Sequence, residues 1–146
     1  MPPAPKQAHV YFRRDGKRVL VVTVHTGRDG GIGEAEGPLS LTTWDDDALG
    51  ESITTALEQS ALAAREFRGS RPPGAATLKI SGEPSPRSFD AAFILIRITE
   101  APGEYLLQGK PDPTLALSAT LSMTALPAEF ARQATRLFQI CRDRKF

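Results

Sequence analysis

The chain has 146 residues and a mass of 15.8 kDa, enough for one domain with a proper core and too short for two. Hydrophobic residues make up 40% and charged residues 24%, and the 12 glycines with 12 prolines stay well below a disordered composition. Together these exclude collagen-like, coiled-coil and membrane-spanning classes. The single cysteine, Cys141, excludes a disulfide framework and a multi-cysteine zinc site. The start, Met1 to Gln7, carries no apolar stretch of the kind a signal peptide needs. The longest apolar runs, Val19–Val24 and Ala91–Ile96, are far short of the roughly 18 residues of a membrane span. A cytoplasmic protein that does not engage a membrane is the expectation.

The net charge of +1 conceals a strong segregation. Residues 1–28 hold six basic side chains and one acid. Residues 29–64 hold eight acids (Asp29, Glu34, Glu36, Asp45, Asp46, Asp47, Glu51 and Glu58) and no Lys or Arg. Residues 65–129 balance at seven against seven, and residues 130–146 return to five basic against one acidic. One acidic segment between basic ends can steer a cationic partner, or it can be a solvated face balanced in space by the termini.

In chain order, residues 1–7 read as a flexible Pro-rich lead-in to a single α+β domain over 8–146. His9–Arg14 and Lys17–His25 flank Asp15-Gly16, the signature of a two-residue hairpin turn. Val19 to Val24 is continuous and β-branched, so the second strand is buried on both faces. Gly27 to Gly33 reads as a mobile loop, and Leu39–Thr42 as a short strand.

The clearest helix opens at Thr43-Trp44-Asp45-Asp46, where a Thr followed three residues later by an acid resembles a capping box. Leu49, Ile53, Ala56, Leu57, Ser60 and Ala64 share one side at 100° per residue. Asp47, Glu51 and Glu58 share nearly the opposite side, within a stripe about 40° wide. The helix is expected to stop near Gly69, before Arg71-Pro72-Pro73-Gly74. Ala76–Ser81 reads as a short strand, Gly82–Pro86 as a loop, and Phe89–Thr99 as a long strand turning at Ala101–Glu104 so that Tyr105–Gln108 pairs back. Pro111-Asp112-Pro113 breaks the chain. Thr114–Thr124 alternates with period two, as a half-buried strand does. A last helix starting at Pro127 is expected to bury Phe130, Ala134, Leu137, Phe138 and Cys141. The fold expected is α+β: a mainly antiparallel sheet of about five or six strands with two helices on one face.

Little in this chain suits catalysis. His9 and His25 are placed at strand ends, where a structural or solvated imidazole is the usual role. Cys141 lies in an apolar helix stripe. The Gly27–Gly33 loop lacks the Lys-Ser/Thr of a phosphate-binding loop, and Glu34 and Glu36 beside it repel phosphate. Asp45-Asp46-Asp47 reads as capping rather than metal ligation, because consecutive residues at a helix start diverge. The basic ends lack interleaved aromatics, so direct nucleic-acid binding is not expected. No catalytic residue, cofactor or metal is assigned. Trp44 is either a lid on the core or an aromatic anchor at an interface.

Trp44-Asp45-Asp46-Asp47-Ala48-Leu49-Gly50-Glu51-Ser52-Ile53-Thr54-Thr55-Ala56-Leu57-Glu58-Gln59-Ser60 resembles the D-D-x-x-L-G-x-x-[IV]-x-x-A-L-x-x-S run of immunity proteins from bacterial contact-dependent growth inhibition systems. With the hairpin ahead of it, the resemblance covers roughly residues 8–62. It implies a protein that is not an enzyme and that neutralises a cognate toxin C-terminal domain, often a nuclease, by tight binding. Leu49, Gly50, Ile53, Ala56 and Leu57 then read as fold-keeping positions. Trp44, Asp45, Asp46, Asp47, Glu51 and Glu58 are the candidate partner-binding residues, on the physical ground that nuclease sites are basic. The alternative is a small ligand-binding or enzymatic α+β domain with a pocket between sheet and helices, lined by Tyr11, His25 and Tyr105.

Overall fold

The computed structural model describes residues 5–26, 31–35, 37–62, 72–112 and 115–143. In chain order the described elements are β1 (Gln7–Arg13), β2 (Val19–Thr26), β3 (Ile32–Glu34), β4 (Leu39–Leu41), α1 (Asp46–Leu62), α2 (Ala75–Ser81), α3 (Pro86–Ala92), β5 (Phe93–Ala101), β6 (Glu104–Asp112), β7 (Leu115–Ser122) and α4 (Pro127–Asp143). The strands form one antiparallel sheet in the order β3-β2-β1-β5-β6-β7, with β4 beside β3 along the same edge of β2. The α+β expectation holds, with seven strands rather than five or six among the described residues.

Strand alternation gives the sheet two apolar faces. Ala8, Val10 and Phe12 of β1 lie in register with Thr23, Val21 and Val19 of β2 and with Ile98, Ile96 and Ile94 of β5. This first face carries α1 and α4, which contribute Leu49, Ile53, Ala56 and Leu57, and Phe130, Ala131, Ala134, Leu137, Phe138 and Cys141. Phe138 stacks on Phe12 with ring centroids 4.7 Å apart. The five residues expected on the buried stripe of α4 are all buried. The opposite face holds Tyr11, Leu20, Val22, Phe89 and Phe93, with Leu78 against them. The second strand is therefore buried on both sides, as its unbroken apolar run requires.

Four local readings are corrected. The β1–β2 connection is a four-residue loop, not a two-residue turn: the Arg13 amide donates to the Arg18 carbonyl at 2.9 Å and the Gly16 amide to the Arg13 carbonyl at 2.8 Å. Gly16 alone takes a left-handed φ, +74°, while Asp15 uses its side chain to accept from the Lys17 amide at 2.9 Å. Residues 76–81 are helical, not extended. Their apolar pattern is too short to decide by itself, and the helix is held at its ends by Glu34 of β3 and by Arg18, just ahead of β2. Phe89 belongs to α3, since Ser85 accepts from the Ser88 amide at 3.1 Å, with Pro86 next to the cap. That capping box ends the expected long strand at Phe93. Finally, α1 is capped by Asp45, whose Oδ1 accepts from the Ala48 amide at 2.7 Å, and not by Thr43. Its expected end near Gly69 lies outside the described residues.

Helices α1 and α4 cross closely because residue 50 has no side chain. A Cβ there would stand 2.1 Å from the Pro127 carbonyl oxygen and 2.3 Å from its carbon. Ser60 then fixes α1 to the sheet: its hydroxyl donates to the Val24 carbonyl at 2.6 Å and accepts from the Gln7 amide at 3.0 Å. Thr23 adds a bond to the Ala56 carbonyl at 3.2 Å.

Candidate functional site

Helix α1 buries its aliphatic stripe and turns its carboxylates outward. Asp45, Asp46, Asp47, Glu51 and Glu58 are all exposed. Asp46 and Asp47 occupy the first helical turn, where the N-terminal end of the helix dipole favours negative charge. Asp47, Glu51 and Glu58 follow one another up the same side, and among the described residues none of the three is in an ion pair. Trp44 is half-buried and packs against the main core, so it behaves as a lid at the helix entrance.

The acidic segment does not form one surface. Glu34 sits on β3 in register with Val24, which places it on the second face of the sheet, away from α1. Its side chain is only 2% exposed. Oε2 accepts from His9 Nδ1 at 2.6 Å and from the Tyr11 hydroxyl, and Oε1 accepts from the Gly74 amide at 2.7 Å. A carboxylate has no proton to give, so His9 must carry its hydrogen on Nδ1 and the phenol must donate. Burial pushes the Glu34 carboxyl up, but His9, Tyr11 and the Gly74 amide outweigh it and hold the group below the usual carboxylate range. The same arrangement pushes the Tyr11 phenol well up, through burial first and then the Glu34 charge and hydrogen bond. Glu36 lies outside the described residues.

This buried cluster clamps α2. Glu34 holds the backbone at Gly74, where the helix begins, and Arg18 donates to the Ile80 carbonyl and to the Ser81 carbonyl at 3.0 Å, where it ends. Anion at the start and cation at the finish both match the helix dipole. His9 is thus a buried mid-strand residue rather than one at a strand end. The signal for the cluster was a His and a Tyr two apart on a buried strand. Their acidic partner is 23 residues or more away in sequence and could not be paired by spacing.

Tyr11, His25 and Tyr105 do not line a common pocket. Tyr11 is on the second face, whereas Tyr105 belongs to the first-face core, where its ring meets Phe130 edge-on at 5.1 Å. His25 is in β2 register with Gly33, on the same side as Val21 and Thr23. The sheet separates Tyr11 from the other two, and β1 and β5 stand between His25 on β2 and Tyr105 on β6. Among the described residues no group of three His, Cys, Asp or Glu side chains is arranged to hold a metal ion, Cys141 is buried, and no helix is long and apolar enough to cross a membrane.

An antiparallel sheet with a two-helix layer on one face and two short helices clamped on the other defines the class of fold. No family model and no curated protein matches the sequence. Solved structures do match over nearly the whole chain. A protein of unknown function from Neisseria meningitidis superposes with a TM-score of 0.66 at 14% identity, covering 97% of this chain and 98% of that one. A chain of the CdiA-CT/CdiI toxin and immunity complex from Yersinia pseudotuberculosis superposes with a TM-score of 0.63 at 15% identity, with the same coverage of 97% and 98%. At these identities the likeness is one of fold.

Proposed function

We propose that this chain is an immunity protein that binds a cognate toxin domain of a contact-dependent growth inhibition system and blocks it by occupancy, without catalysing a reaction. The observation that carries the reading is the fold, which it shares end to end with a chain of a toxin and immunity complex. The helix-one sequence run that resembles such immunity proteins points the same way. The exposed face of α1 is the docking surface, formed by Asp46, Asp47, Glu51 and Glu58, with Asp45 and Trp44 at its entrance. A nuclease is the toxin class this surface suits, since a site built to hold phosphates is basic and is drawn to a row of carboxylates.

Calorimetric titration against the C-terminal toxin domain encoded immediately upstream tests this, with an unrelated toxin domain as control. Nanomolar or tighter binding to the cognate domain alone, about −12 kcal/mol or better, is the expected result. No heat with either domain overturns the immunity reading. Reversing charge at Asp47, Glu51 and Glu58 together is expected to weaken binding by well over tenfold, and an unchanged affinity would remove that face from the interface.

A further inference from the structure

Strand β7 ends the sheet: it pairs with β6 on one side, and among the described residues no strand pairs with its other side. This edge is eight residues long, whereas the opposite edge is made of β3 and β4, three residues each. Short strands, charges and prolines are the usual guards of a sheet edge. Leu115 to Leu126 contain no charged residue and no proline. Leu117, Ala119 and Leu121 lie in register with Gly109, Leu107 and Tyr105, on the face that carries α4, yet they stay half-buried. Ser118, Thr120 and Ser122, on the other face, are exposed. Just beyond the strand Met123 is 42% exposed, and Leu126 at 65% is the most exposed large apolar residue among those described. The long unguarded edge thus carries an apolar row that α4 leaves half open.

We propose that two copies of this chain join through β7, antiparallel about a two-fold axis normal to the sheet. Such an axis continues the sheet from one copy into the other and keeps the α4 face of both on the same side. It therefore extends the Leu117, Ala119 and Leu121 row of one copy with the same row of the other, and it sets hydroxyl row beside hydroxyl row. In the register centred on Ala119, Leu117 of each copy faces Leu121 of the other and Ser118 faces Thr120, pairings that stabilise a sheet. Any charge on the strand would stand near its own copy across the axis, and β7 has none. A basic partner, by contrast, finds no counter-charge on this edge to draw it there. Helix α1 packs on β1 and β2, whereas α4 packs on β5, β6 and β7. Both acidic faces accordingly stay open in the dimer, which stands whether or not α1 binds a toxin.

Sedimentation equilibrium and backbone hydrogen exchange on the full chain, at concentrations up to about 0.5 mM, test the pairing. The mass is expected to rise with concentration from 15.8 kDa toward twice that value. Over the same range every second amide of residues 115–122, those directed away from β6, should gain protection, which marks strand pairing. Ser118→Lys combined with Thr120→Lys changes only exposed side chains and sets lysine against lysine across the axis. The dimer should then weaken about tenfold or more, while the urea midpoint of the dilute monomer is unchanged. The wild-type exchange pattern decides the matter even if that variant fails to fold. A monomer at every concentration, or a dimer whose alternate β7 amides stay unprotected, would overturn the proposal. Protection that appears only when the toxin domain is added would also overturn it and assign the edge to that partner.

Discussion

Replacing Glu34 by Ala is expected to be among the most damaging single substitutions in this chain. The carboxylate is 2% exposed and accepts from His9, Tyr11 and the Gly74 amide. Alanine leaves the Gly74 N–H and the Tyr11 hydroxyl buried without their acceptor, and it removes the anion beside His9. Breaking a buried charged network by deleting one member costs about 3–5 kcal/mol. Each donor left unsatisfied accounts for about 1–3 kcal/mol of such a loss, so the figure is reached without a cavity contribution. Against a total stability of about 5–15 kcal/mol, that removes about a fifth or more. At a urea slope of about 2 kcal/mol per molar, the midpoint falls by about 1.5–2.5 M. The loss should register in α2 first, because Gly74 begins that helix. Hydrogen exchange at residues 75–81 is therefore expected to accelerate beyond what global destabilisation explains. A loss below about 1 kcal/mol at an unchanged slope would refute the view that this network clamps the second face.

The same group sets an acid limb. Because the Glu34 carboxyl is held below its usual range in the folded state, its contribution is complete above the ordinary value near 4.3 and is lost as the pH falls through the folded-state value. The stability gap between wild type and Glu34→Gln, followed by urea titration, should therefore narrow on acidification below about pH 4. Gly50→Ala drives a methyl group into the Pro127 carbonyl and forces α1 and α4 apart, so a loss of about 1–3 kcal/mol is expected. For a chain of this size, that is roughly 3–10 °C in thermal midpoint by calorimetry.

Much of the sheet and both long helices could be read from the sequence because each carries its own periodicity over a long enough stretch. The alternation of residues 115–122 and the 3.6-residue stripe of α4 are unambiguous on their own. The two short helices could not be read in this way. Residues 75–81 are helical because Glu34 and Arg18 seize their ends, and neither side chain is local. Residues 86–92 are started by the Ser85/Ser88 capping box, whereas the apolar run that follows them drew Phe89 into the expected strand. At the candidate site the sequence placed Asp47, Glu51 and Glu58 on one helix face correctly, since helical geometry alone decides that. It did not separate Glu34 from them, because that requires knowing which face of the sheet β3 presents.

The six acids between residues 29 and 64 that lie among the described residues thus divide by what they do inside the fold. Glu34 holds α2, Asp45 caps α1, and Asp46 and Asp47 suit the helix dipole, whereas Glu51 and Glu58 make no side-chain bond among the described residues. Like charges four apart on a helix, as Asp47 and Glu51 are, cost about 0.2–0.5 kcal/mol. Neutralising Glu51 and Glu58 to Gln should accordingly leave the free protein as stable as before or raise its thermal midpoint by about 1–2 °C at low salt. The same double variant should bind the cognate toxin domain at least tenfold more weakly, with a flatter salt dependence. A face made for a partner and not for the fold predicts those opposite signs. If both stability and affinity fell together, the carboxylates would be structural and the docking surface would have to lie elsewhere.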